Sequence, residues 1–131
     1  MTPLLSLADA RFVSLTTFRR SGERVSTPVW VGRDGEALVV LTPAGSGKVR
    51  RLRRDPRVEL VPCGRFGKVE DGVVPVAGTA DLREAPGDVD RARATIRRHY
   101  PIESRLVLGI ERLVERLLGR TRTERLALLI T

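Results

Sequence analysis

The 131-residue chain has one cysteine, Cys63, and one histidine, His99. An internal disulfide is therefore excluded, and a cysteine/histidine metal site has no ligand set to draw on. No catalytic Ser-His-Asp arrangement or working pair of carboxylates is visible, so no catalytic residue is assigned. Aromatic residues are only 4% of the chain. Phe12, Phe18, Trp30, Phe66 and Tyr100 are scattered, which leaves no stacking platform for single-stranded nucleic acid. No apolar run is long enough for a transmembrane helix. The N-terminal segment lacks a basic stretch followed by a long apolar one, so the expected location is the cytoplasm.

Hydrophobic residues make up 41% and charged residues 31%, the balance of a single globular domain over 1–131. The net charge of +8 attracts phosphates in general. Nucleic acid is nonetheless disfavoured as a partner by the missing aromatics, and the arginine-rich composition is equally that of a GC-rich genome.

The most informative segment runs from Leu41 to Val58. An apolar strand ends at Thr42, the small residues Gly45, Ser46 and Gly47 follow, and an arginine-laden helix begins near Lys48. Ser46 is placed to cap that helix and to donate to an anion oxygen. Gly45 and Gly47 remove side-chain bulk and tolerate positive φ, so free amides of the first turn can face an oxyanion. On the helical wheel Val49 and Leu52 form the buried stripe, Lys48 and Arg51 share the ligand side, and Arg50 and Arg54 point away. A nucleotide P-loop needs a glycine where this chain has Thr42 and a Ser or Thr where it has Val49, so the loop is a phosphate cradle of another kind.

Elsewhere, residues 3–10 predict a short helix. Strands are predicted over 11–18, 25–31, 38–42, 57–62, 73–83 and 124–131. Pro28 marks a bulge or an edge, and Arg33-Asp34-Gly35 a turn. Residues 63–72 form a polar excursion, and helices are predicted over 87–98 and 104–118. Short connections between strands favour antiparallel pairing, hence a mainly β small barrel of about six strands with helices packed at its side or ends. Cys63 reads as a small strand-end residue. Glu111 and Glu115 read as a solvated helix face, and His99 and Tyr100 as structural or pocket-lining.

In order and spacing, Phe12-Val13-Ser14-Leu15-Thr16-Thr17-Phe18, Ser26-Thr27-Pro28-Val29-Trp30-Val31, Leu41-Thr42, Ser46-Gly47-Lys48 and Arg54-Asp55-Pro56-Arg57-Val58 resemble the pyridoxamine 5'-phosphate oxidase-like FMN-binding split barrels. Within that superfamily the likeness is greatest to the actinobacterial oxidoreductases that use the deazaflavin coenzyme F420. The resemblance implies a homodimer with cofactor sites at the subunit interface. In it the cofactor phosphate sits on Ser46, Gly47 and Lys48 with Arg51 as a further contact. Thr27, Pro28, Val29 and Trp30 run beside the tricyclic ring, their amides reaching its heteroatoms, and Thr42 lies near the tail. Trp30 is equally read as core or interface packing. Arg54 and Arg57 could reach a longer anionic tail. Relatives that use flavin often carry a basic residue where this chain has Gly47, and some deazaflavin relatives carry Arg in place of Ser46. A basic surround favours F420, with its polyanionic tail, over FMN. The implied activity is hydride transfer to or from a small organic substrate, the alternatives being an FMN oxidoreductase, a flavin carrier or a non-catalytic basic binding module.

Overall fold

The computed structural model describes residues 3–100, Ile110, Leu113 and 124–131. Helix α1 (Pro3–Ser6) runs into a 3-10 turn, Leu7–Asp9, and seven strands follow with two further helices. The strands are β1 (Phe12–Phe18), β2 (Arg24–Val29), β3 (Gly32–Asp34), β4 (Ala37–Pro43), β5 (Arg57–Cys63), β6 (Val76–Arg83) and β7 (Arg125–Ile130). Helix α2 (Gly47–Arg54) lies between β4 and β5, and α3 (Pro86–His99) between β6 and β7. They form one antiparallel sheet in the order β2-β1-β5-β6-β7-β4-β3. The expected mainly β split barrel is observed.

Closure follows from the connectivity. Strands β2 and β3 occupy opposite edges of the sheet, yet only Trp30 and Val31 separate them in sequence. Three Cα-to-Cα steps reach at most about 11 Å, so the sheet must curl until its edges face each other. Val31 at this seam is fully buried.

The inner surface collects Val13, Leu15, Val58, Leu60, Leu38, Val40, Leu128 and Ile130, with Leu5, Leu7 and Ala8 from the N-terminal helix and Leu52 from α2. Strands β4 and β7 are buried on both faces, because Val39, Leu41, Ala127 and Leu129 pack outward against Ala92 of α3. That is why these strands read as unbroken apolar runs, whereas β2 and β6 alternate.

Two departures from the sequence reading have simple causes. Gly32–Asp34 is a strand, not part of a turn; the turn falls at Gly35, whose φ of +61° favours glycine. The fifth long strand starts at Val76, leaving Val73 and Val74 exposed. Of the two readings of Pro28, a bulge or an edge, the edge is the one observed: it lies on an edge strand within an uninterrupted ladder. The helix predicted over 104–118, with Glu111 and Glu115, lies outside the described residues except for Ile110 and Leu113, which are helical and more than half exposed.

Helix α3 is seated on the β3–β4 edge by an Asp34–Arg91 ion pair at 2.6 Å and by a close approach at Gly32. A Cβ on Gly32 would lie 2.7 Å from Cγ2 of Thr95, itself buried. Gly32→Ala is therefore expected to destabilise the fold by about 1–3 kcal/mol in urea unfolding, the range for an overpacked core.

Candidate functional site

The loop between β4 and α2 is built on its own hydrogen bonds. Ser46 N–H donates to Pro43 O at 3.1 Å, and Ala44 N–H donates to Glu124 O at 2.9 Å, tying the loop to the start of β7. Ser46 is the N-cap of α2: extended at φ −71°, ψ 157°, its hydroxyl accepts from Val49 N–H at 3.4 Å. Thr42 Oγ1 lies 3.4 Å from Ser46 Oγ and is only 2% exposed, so it backs the cap and has little surface for a cofactor tail. Neither Gly45 nor Gly47 uses the positive φ that glycine tolerates. Gly45 instead borders open space, and the space beside Gly47 is filled by the guanidinium of Arg51.

The two cations of the cradle lean on threonines. Lys48 Nζ donates to Thr27 Oγ1 at 3.0 Å, and Arg51 Nε donates to Thr17 Oγ1 at 2.7 Å. Thr17 and Thr27 lie on the inner face of the β1–β2 hairpin, the face that also carries Leu15. Burial of Val49 and Leu52 fixes which side of α2 turns toward the barrel and so delivers Lys48 and Arg51 to those hydroxyls. No carboxylate pairs with either cation among the described residues. Burial, then the Arg51 charge, holds the Lys48 ammonium below its ordinary pKa. Burial, then the charges of Arg19, Arg50 and Arg54, pushes the Arg51 guanidinium down from its own. Both shifts mark positive charge without a local counterion. The donor set of helix N-terminus, capping hydroxyl and two cations fits a phosphate group.

Strand β2 lies beside this cradle, and no described strand pairs with its outer edge. Arg19 N–H donates to Glu23 O at 2.9 Å, which sets the alternation of the hairpin. Thr27 and Val29 therefore turn their backbone groups toward β1, while Ser26 and Pro28 turn theirs outward. The expected line of amides from Thr27 to Trp30 is narrowed accordingly: the outward groups of this stretch of β2 are the Ser26 N–H and C=O and the Pro28 C=O, proline having no N–H. Trp30, just past the strand, stacks on Tyr100 with ring centroids 4.9 Å apart at 15°, and Tyr100 OH donates to Arg11 O at 2.8 Å. His99 meets Tyr100 edge-on. Trp30 thus belongs to the aromatic seam closing the barrel as well as to the end of β2.

The remaining arginines are mostly committed elsewhere. Arg54 donates to Phe18 O at 2.5 Å, although the helical wheel turned it outward. Arg57 makes a bidentate pair with Asp55, whose carboxylate also accepts from Arg57 N–H, and its guanidinium lies 5.1 Å from the centroid of the Phe18 ring. Asp55-Pro56-Arg57 is accordingly a local lock on the passage from α2 into β5. Arg53 pairs with Glu84. Burial pushes the Cys63 thiol up, consistent with an inert side chain. No group of three or more metal-ligating side chains occurs among the described residues, and no helix described is long and apolar enough to cross a membrane. Thr17, half of the Arg51 contact, went unrecognised in the sequence because 34 residues separate it from its partner.

A family model described as pyridoxamine 5'-phosphate oxidase matches residues 5–119. No curated protein matches. Among solved structures, a conserved hypothetical protein of Mycobacterium tuberculosis is 22% identical, spans 100% of this chain and 80% of its own, and superposes with a TM-score of 0.68. An F420 reductase is 16% identical over 99% of this chain and 93% of its own, with a TM-score of 0.60. The heme storage protein HutZ of Vibrio cholerae is 12% identical over 94% of this chain and 82% of its own, with a TM-score of 0.63. At such identities the likeness is one of fold.

The Asp55 carboxyl is held at about 2, chiefly by hydrogen bonds from Arg57, against an ordinary value of 3.8. Its contribution to stability is present above the ordinary value and is lost as pH falls toward about 2. Acid unfolding followed by circular dichroism should show Asp55→Asn less stable than wild type at neutral pH, with the gap closing over that window.

Proposed function

Since the chain belongs to the pyridoxamine 5'-phosphate oxidase family, we propose that it is an oxidoreductase that moves a hydride between coenzyme F420 and a small organic substrate, working as a homodimer with the cofactor at the subunit interface. The observation that carries this reading is the pair of uncompensated cations, Lys48 on Thr27 and Arg51 on Thr17, beside the Ser46-capped N-terminus of α2. Ser46, Gly47, Lys48 and Arg51 would hold the cofactor phosphate. The end of β2 from Thr27 to Val29, with Trp30 just beyond it, would lie along the ring, and Thr42 would support the capping serine from behind.

A bound deazaflavin supplies two-electron hydride chemistry. The residues of this chain then bind and orient. Lys48 and Arg51 fix the phosphate end, the outward groups of β2 align the ring, and the sheet behind it keeps water from one side. No side chain is required to move a proton for the transfer itself. Arg19, Arg50 and Arg54 are close enough to lower the Arg51 pKa, and this local excess of charge favours a cofactor with a polyanionic tail. FMN is the second reading, because the cradle itself is sized for a single phosphate group.

Titration of the purified protein with F420, FMN, FAD and heme side by side tests the assignment. F420 is expected to bind with a change in its fluorescence, and Lys48→Ala to weaken it by about 10- to 100-fold, the scale of a lost hydrogen bond to a charged group. Affinity should fall as pH rises through the lowered Lys48 pKa, below the ordinary 10.5, because the bound anion requires the protonated amine. Unchanged affinity in Lys48→Ala would remove the phosphate-cradle assignment. Preferential binding of FMN would move the chain to the second reading.

A further inference from the structure

The Arg51 guanidinium occupies the place where a side chain at position 47 would begin. A Cβ built on Gly47 would lie 2.7 Å from one terminal nitrogen of Arg51, 3.5 Å from its central carbon and 3.6 Å from the other terminal nitrogen. The group is held there from behind, because its Nε is spent on Thr17 Oγ1 at 2.7 Å and Thr17 is fully buried in β1. An arginine anchored through Nε keeps both terminal nitrogens available as a planar pair of donors. No carboxylate takes that pair among the described residues. Gly47 has no positive φ, so its backbone does not demand glycine.

We infer that Gly47 and Thr17 are positioning residues for Arg51: the missing side chain at 47 opens the slot, the Thr17 hydroxyl fixes the guanidinium in it, and Arg51 is a direct ligand of the phosphate. This rests on the phosphate cradle proposed above and adds its specificity. The site distinguishes a phosphorylated cofactor from the same ring without phosphate through a charge delivered from the second turn of α2. Alanine at 47 is compatible with the backbone and with a helix. Its effect falls on the far end of a flexible side chain, so it displaces the guanidinium without unfolding the protein.

The test is equilibrium titration of the full chain with F420 and with the phosphate-free deazaflavin bearing the same ring. Arg51→Ala should weaken F420 by about 10- to 100-fold and leave the phosphate-free ligand unchanged. Gly47→Ala should lose F420 affinity to a similar extent, and the double variant Gly47→Ala/Arg51→Ala should lose no more than Arg51→Ala alone, because both act through one guanidinium. Thr17→Val should weaken F420 by about fivefold, the scale of one neutral hydrogen bond, and Thr17→Ser should restore it. Multiplying losses in the double variant, wild-type affinity in Gly47→Ala, or equal loss for the phosphate-free ligand would each overturn the inference. If the wild type binds neither F420 nor FMN, the proposed function fails and inorganic pyrophosphate decides this point separately. A rise in melting temperature in wild type that is absent in Arg51→Ala and Gly47→Ala sustains the slot. The same rise in all three, or none in any, overturns it.

Discussion

Trp30 and Val31 join the two edges of a seven-stranded sheet, and this short link governs the rest of the molecule. Because the chain passes from β2 to β3 in so few steps, the sheet must curl until its two edges meet at that end. Once closed, its inner face can be filled only by side chains such as Leu15, Leu60 and Leu128, all fully buried. Closure also leaves a seam, which Trp30 and Tyr100 cover by stacking. The edge strand β2, held in place at that seam, meets Lys48 of α2 through Thr27 on its inner face.

The cradle inverts an ordinary rule of interiors. Partly buried cations are usually matched by carboxylates, whereas among the described residues Lys48 and Arg51 are held by threonine hydroxyls and by no carboxylate. A hydroxyl orients a cation without cancelling its charge, so the site stays electropositive and costs the fold some stability. The carboxylates nearby serve other cations. Asp55 and Glu59 bind Arg57 and Arg24, whose guanidinium groups flank Phe18 at the end of β1. The strand that supplies Thr17 is thereby pinned two ways, by cation–π contacts at Phe18 and by its ladders to β2 and β5.

Much of this was legible in the residues. Phe12–Phe18 and Ala37–Pro43 are rich in β-branched and apolar side chains and form strands close to where that composition put them. Ser46 caps α2, and Val49 and Leu52 are its buried stripe. Gly32-Arg33-Asp34 was not legible as a strand, because its pairing with β4 depends on a closed sheet and on α3, not on local propensity. The glycines of the cradle suggested backbone freedom, but Gly47 makes room for a distant part of the same helix. Thr42 and Thr17 are alike in composition and differ in use: one stands behind a serine, the other aims an arginine. Such distinctions are tertiary, since the partners meet only after the barrel has formed.

The position of β7 bears on how the molecule assembles. It is the last of the described strands in sequence, yet it lies inside the sheet, bonded to β6 on one side and β4 on the other. Without β7, β2-β1-β5-β6 and β4-β3 would be two separate ribbons, each with an unpaired inner edge. Such non-local pairing slows folding and leaves strand edges open to other chains. Strand β7 is thus the keystone among the described strands: it joins two half-sheets into one seven-stranded sheet.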